Sequence, residues 1–354
     1  MTAIRRLRRE KYDCFDAGLA TVLFVVLENL FLLLYQALPA SVKSVAIVGM
    51  LASFGLEFMF AFAGYLTSAI RGVDFFKASK MNKKISWGVV GLTFVIALIA
   101  VFGFNSLSNY FIMFLEGLGY KTSLSNMAIG NFGAYILYLF LVAAVPAVFE
   151  EICFRGTICA GLEKKNKHLA VWLSAFIFMI MHGGPEQTIH QFILGVIFGY
   201  IFVYTGNLWV TILIHFFNNA IAVTMMFVQT LIANGADHLG EITEEVTTIG
   251  FEGFTGVDIV TSLLSAFMTA VTAGALIFFI TKAIKKRLDK VNNQNKETEN
   301  AKLSELTDEG ESVMETPKKN NDTLTQVLTI VAFVVSCAWL IFEWVIALVS
   351  GFMG

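Results

Sequence analysis

The sequence predicts an all-α fold, a polytopic bundle of about nine transmembrane helices with a polar cavity at membrane depth. Three observations carry that prediction. Of the residues, 56% are hydrophobic and only 15% charged, where soluble domains run near about 45–50% apolar and about 25% charged. Apolar runs long enough to span a bilayer recur along the whole chain. Lys and Arg gather in every second connecting segment, as they do when those segments share one side of a membrane.

The apolar runs fall near residues 15–38, 43–70, 86–106, 131–149, 168–182, 188–204, 208–231, 257–281 and 324–350, the fourth continuing as a helix to about 161. The first is too long for a signal-peptide core, and no small-residue cleavage site follows it, so it reads as a retained anchor. The basic segments are "RRLRREK", "RGVDFFKASKMNKK", "LEKKNKH" and "KAIKKRLDK". They place the N-terminus in the cytoplasm and, with nine spans, the C-terminus outside a cell membrane. The segment "NGADHLGEITEEVTTIGFEGFTGVD" on the other side has no Lys or Arg. A net charge of −2 over 354 residues gives no footing for nucleic acid. The expected partner on these grounds is the lipid bilayer. Cys14, Cys153, Cys159 and Cys337 form no CxxC pair and read as small core residues.

Composition divides the chain. Residues 1–130 hold the N-terminal helices and loops, and 131–225 hold the polar motifs. Residues 226–284 hold an extracytoplasmic loop and the eighth span. Residues 285–323 are polar and poor in aromatics, which reads as a disordered cytoplasmic linker. Residues 324–354 hold a last span, read as an accessory.

The stretch "AVFEEICFRG" sets Glu150, Glu151 and Arg155 directly after "YILYLFLVAAVP". A charge at the centre of a bilayer costs roughly 2.5–3.5 kcal/mol on insertion scales. On a helix Glu151 and Arg155 share a face, acid before base, and neutralise each other. Glu150 is turned about 100° away and left to face elsewhere. Pro146 removes a backbone hydrogen bond just before the pair and kinks the helix. "FIFMIMHGGP" ends the fifth run with His182, followed by helix-stopping Gly183, Gly184 and Pro185. That run of some 15 residues is only about 22 Å long, which leaves His182 at membrane depth. "LWVTILIHFFNNA" puts His215 and Asn219 four apart on one face. Each group also has a structural reading, as an ion pair, interhelical glue or a helix end.

"EEICFR" fits EExxxR, "FMIMH" fits FxxxH and "HFFNN" fits HxxxN, in that order on successive spans. The chain resembles the CPBP intramembrane proteases, the group containing the Ras-converting CAAX endopeptidase and bacterial bacteriocin-immunity-type proteins. The resemblance covers roughly residues 131–225, including the glycines of "FILGVIFGYIFVYTGNLW". It implies hydrolysis of a peptide bond in or near the membrane, with a membrane-associated peptide or protein as the substrate and expected partner. Carried over, Glu150 activates water, His182, His215 and Asn219 hold it and stabilise the oxyanion, and Glu151 and Arg155 support them. Amide hydrolysis needs such an activated water and such donors. The family is described as metalloproteases, and Glu150, His182 and His215 suit zinc with water in the fourth position. The same groups also serve without metal, and the sequence leaves both open. The competing reading is a non-catalytic scaffold or bacteriocin-immunity protein. His190 and Gln191, at the start of the sixth run, rank lower, as residues lining the mouth of the site or as an interface histidine with its neighbour. Glu28, Asn29, Glu57 and Glu343 rank lower too, as residues that satisfy one another inside the bundle or line a substrate path.

Overall fold

A computed structural model describes residues 8–122, 129–236, 256–306 and 323–353. Nine long helices dominate them: α1 (Cys14–Gln36), α2 (Ala46–Arg71), α3 (Trp87–Gly117), α4 (Phe132–Leu162), α5 (Lys167–Met181), α6 (Thr188–Thr205), α7 (Leu208–Ala236), α8 (Gly256–Leu306) and α9 (Thr323–Met353). Among the described residues the only β-pairing is one bridge between Arg9 and Val73. Eight of the nine contain a stretch long and apolar enough to cross a bilayer, and the shorter α5 is the ninth span of the sequence reading.

Local chemistry sets the helix ends that matter for the polar core. The Asn166 side chain caps α5 by accepting from His168 N and Leu169 N. At its other end Gly183 takes a φ of +66°, a conformation L side chains avoid. That stop holds α5 to 15 residues and fixes where His182 sits. Asp16, fully buried in the first turn of α1, accepts from Arg9 at 3.0 Å and from Arg71 at 2.9 Å. This clamp ties the start of α1 to the end of α2.

Two apolar cores follow. Val89, Ile96, Phe198, Ile214, Ile277 and Leu288 pack α3, α6, α7 and α8 together. Phe24, Phe60, Phe154, Phe178 and Leu340 pack α1, α2, α4, α5 and α9. Gly195 and Gly199 let α6 lie close on α5, since a Cβ on either would press within 2.9 Å of Ala175 or Val171.

Three expectations need correction. The helix expected to give way to a linker at 285 continues to Leu306. Ile284 and Leu288 are buried against α3, and Lys285 pairs with Asp289 at 2.9 Å on the same helix, so polar composition here serves a helix surface. Residues 307–322 of that stretch, and most of the acidic segment at 237–255, lie outside the described residues. The last span is no loose accessory. Leu340 is buried in the second core, Trp344 Nε1 donates to Thr188 Oγ1 at 3.1 Å, and Lys121 N donates to Gly351 O at 2.8 Å. Tyr120, stacked edge-on against Phe352, donates to Glu186 Oε2 at 2.9 Å. Its burial and the Glu186 carboxylate push this phenol up to about 12, so it remains a donor at neutral pH. Finally, Cys153 and Cys159 are buried as expected, but Cys14 is exposed at the start of α1.

Leu340→Ala in the full chain tests the packing of α9. It is expected to lower unfolding stability in detergent micelles by about 2 kcal/mol or more. An unchanged melting temperature would mean that α9 rests on the bundle without stabilising it.

Candidate active site

A cavity of about 320 Å³ lies inside the bundle. Glu28 and Glu57 reach it from α1 and α2, Pro146 and Glu150 from α4, and His182 from the end of α5. His190 and Gln191 reach it from α6, and His215, Asn218 and Asn219 from α7. Polar groups from six helices thus meet in an otherwise apolar interior.

The helical offset of Glu150 from Glu151 sorts the two carboxylates. Glu150, 5% exposed, lines the cavity, while Glu151, 0% exposed, faces the protein behind it. Glu151 Oε1 accepts from Arg155 at 2.7 Å and from His215 Nδ1 at 3.1 Å. Arg155, also fully buried, donates a second bond to the Gly195 carbonyl at 3.3 Å. Its guanidinium lies 4.4 Å from the ring centre of Phe178 and 5.3 Å from that of Phe198. Arg155 stands where α4 changes to π-helical spacing, Phe154–Cys159, a distortion that recurs at functional sites.

The two imidazoles are oriented from behind. His182 Nδ1 donates to the Phe178 carbonyl at 2.8 Å. His215 Nδ1 donates to Glu151. In the neutral ring each therefore keeps Nε2 as an acceptor. His215 Nε2 lies 3.8 Å from Glu150 Oε2. That is too long for a direct hydrogen bond, but one water can donate to both. Phe178 packs edge-on against both histidines, with ring centres 4.8 Å and 6.2 Å away.

Asn219 is held by a defect in α4. Pro146 has no N–H to give the Val142 carbonyl four residues back. Asn219 Nδ2 donates to that carbonyl instead, at 3.1 Å. The preceding turn, Leu139–Ala144, is π-helical, which is how the chain absorbs the proline. Asn219 Oδ1 accepts from Asn218 at 3.2 Å, and the Asn218 Oδ1 atom has no partner.

The structure brings Glu150, His182, His215 and Asn219 to one cavity and sets Glu151 and Arg155 behind them. His190 and Gln191 line it too. His190 Nδ1 is 3.4 Å from Ser108 Oγ, and Gln191 donates to Gln187 at 3.4 Å. Glu28 and Glu57 join the wall, whereas Asn29 donates to its own helix at Val25 O and Glu343 accepts from Trp339 Nε1. Sequence reasoning missed Asn218 and the part played by Phe178, although the FxxxH pattern already contained that phenylalanine. The zinc option fits this arrangement poorly. Among the described residues no three His, Cys, Asp or Glu side chains stand together as metal ligands.

Removing the guanidinium tests the support. Arg155→Ala leaves Glu151 as a buried unpaired charge and is expected to cost about 3–5 kcal/mol of stability. Arg155→Lys is expected to recover little, because a single ammonium cannot serve Glu151, Gly195 and two rings at once. Thermal unfolding of the purified variants measures both. Wild-type stability in Arg155→Ala would show that the pair is idle.

A Bacillus subtilis (strain 168) protein named "Putative membrane peptidase YdiL" is 28% identical over 142 residues, covering 40% of this chain and 56% of that relative. The chain thus spans little more than half the length of the relative it matches. No solved structure matches. Residues 132–221, which carry all six site residues expected from the motifs, match the family described as type II CAAX prenyl endopeptidase Rce1-like.

Proposed function

We propose that this chain is an intramembrane endopeptidase that hydrolyses a peptide bond of a membrane-associated peptide or protein, with Glu150 as the general base. The observation that carries the reading is the meeting of Glu150, His182, His215 and Asn219, from three helices, in one buried cavity. In this scheme the attacking water donates one hydrogen to Glu150 and the other to an imidazole Nε2. Its lone pair is then directed at the scissile carbonyl carbon. Glu150 takes the proton during attack and returns it to the leaving amine. An amide nitrogen has two N–H bonds, and Asn219 spends one on Val142. The other stabilises the oxyanion as charge builds on it. Glu151 and Arg155 take no part in bond making. They hold His215 in the tautomer the scheme needs. The basic segments give the orientation in the cell membrane, N-terminus in the cytoplasm.

The role of Glu150 is tested with purified protein and membrane-associated peptides of varied sequence, cleavage being followed by mass spectrometry. Glu150→Gln keeps the shape and removes the base. Turnover is expected to fall by at least about 10²-fold with an unchanged melting curve. Full turnover in Glu150→Gln would overturn the assignment. If neither protein cleaves any peptide while both are folded, the scaffold reading replaces this one.

Zinc is a separate question with a separate measurement. Turnover is expected to survive a strong chelator, because the His, His, Glu set is not gathered as ligands. Reversible loss on chelation, together with stoichiometric zinc that disappears in His182→Ala and His215→Ala, would assign the metal to those residues.

A further inference from the structure

Among the described residues, six buried side-chain nitrogen or oxygen atoms have no partner, and four belong to residues that line the cavity. All four are acceptor oxygens: Glu28 Oε2, Glu57 Oε2, Glu150 Oε2 and Asn218 Oδ1. Asn218 is only 4% exposed, so its carbonyl oxygen has no outside solvent to turn to. The two histidine Nε2 atoms add further acceptors, since each Nδ1 is already spent. Donors are scarce. No Lys or Arg lines the cavity. The buried Arg155 behind it is committed to Glu151, to the Gly195 carbonyl and to two aromatic rings.

This imbalance exceeds what the proposed hydrolysis uses. One water satisfies Glu150 and one imidazole. It does nothing for Oε2 of Glu28 or of Glu57, which come from α1 and α2, outside the segment 132–221 that matches the family. The Glu57 carboxyl is hydrogen-bonded to that of Glu150, and Glu28 lies within electrostatic reach of Glu343 and Glu57. The two glutamates thus extend the polar surface outward from the water-activating carboxyl. Buried carboxyl oxygens with no donor are unfavourable in an apolar bundle. A ligand that brings positive charge and several N–H donors relieves them. A lysine ammonium has three and an arginine guanidinium five.

We infer that Glu28 and Glu57 form a subsite for the side chain of a lysine or arginine close to the scissile bond of the substrate. This rests on the peptidase reading and names the class of substrate that the site takes. The cationic head would sit against the two carboxyl groups and its aliphatic stem against Leu56 and Phe60 of the same wall. The substrate is then a membrane-associated peptide with a basic residue carried into the bundle. There the glutamates replace part of the hydration that the cation leaves behind.

The test uses the full chain in detergent or lipid nanodiscs and one apolar quenched-fluorescent peptide. A single lysine is moved through the positions flanking the cleaved bond, each version being paired with its norleucine counterpart. At one position lysine is expected to raise kcat/KM about ten-fold or more over norleucine. In Glu57→Gln and in Glu28→Gln that ratio is expected to fall toward one. A ratio near one at every position in the wild type would overturn the subsite. So would a preference that survives in both variants. Binding is measured separately by fluorescence anisotropy on Glu150→Gln, with the same lysine and norleucine peptides. If no peptide is cleaved but the lysine version binds more tightly, and Glu28→Gln abolishes the difference, the subsite stands and the peptidase reading falls. If peptides are cleaved with no lysine preference in either measurement, the peptidase reading stands and the subsite falls.

Discussion

The rest of the polar core depends on one oxygen atom. Glu151 Oε1 takes a hydrogen bond from Arg155 on its own helix and another from His215 on α7. Arg155 in turn reaches the backbone of α6 and the ring of Phe178 on α5. Four helices are therefore fastened through one ion pair. A pair this deeply buried gains little net stability over apolar packing, because desolvation opposes the Coulomb attraction. What it supplies is position. It settles which nitrogen of His215 carries the proton, and so leaves the other facing Glu150. Phe178 adds to this with both ends, its carbonyl holding His182 and its ring seating the guanidinium.

A second constraint is the vacancy left by Pro146. In the middle of a membrane helix an unpaired carbonyl finds no water and must be satisfied by protein. Val142 O is satisfied by Asn219, which fixes the rotation of α7 against α4. The same rotation brings His215, one turn earlier, beside Glu151. The kinked turn and the HxxxN spacing therefore form one device: a helix with a regular ladder here would leave Asn219 without its anchor.

Much of this was legible in the sequence. Hydropathy and basic loops gave the nine helices, since both report directly on the bilayer. The separation of Glu150 from the Glu151–Arg155 pair needed only the helical repeat. So did the shared face of His215 and Asn219. The rest was not legible for physical reasons. Whether Glu57 faces lipid, a neighbour or a cavity is decided by the rotation of α2, which no local rule fixes. Phe178 looks like any core aromatic until its partners are known. Lys285, Asp289 and the polar residues after them read as linker because composition was judged without the apolar pair Ile284 and Leu288, four apart on the face that meets α3. The docking of α9 depends on long-range contacts such as Trp344 with Thr188, which periodicity cannot predict.

The depth of the cavity wall follows from how the helix ends are pinned. Arg71, at the end of α2, bonds Asp16 near the start of α1. Gly161, near the end of α4, lies so close to α1 that a Cβ there would fall 2.6 Å from the Asp13 carbonyl oxygen and 2.9 Å from Ala17. The three helices thus share one end of the bundle. From that end Glu28 lies 12 residues along α1, Glu57 14 residues back along α2 and Glu150 11 residues back along α4. At 1.5 Å per residue these are heights of about 18, 21 and 17 Å. Three carboxyl groups on three helices therefore reach one level, and helical rotation turns them into one cavity. A larger residue than glycine at 161 would push α4 off α1 and lift Glu150 out of line with the other two. The close approach at that end, far from the reacting groups, sets the depth at which they meet.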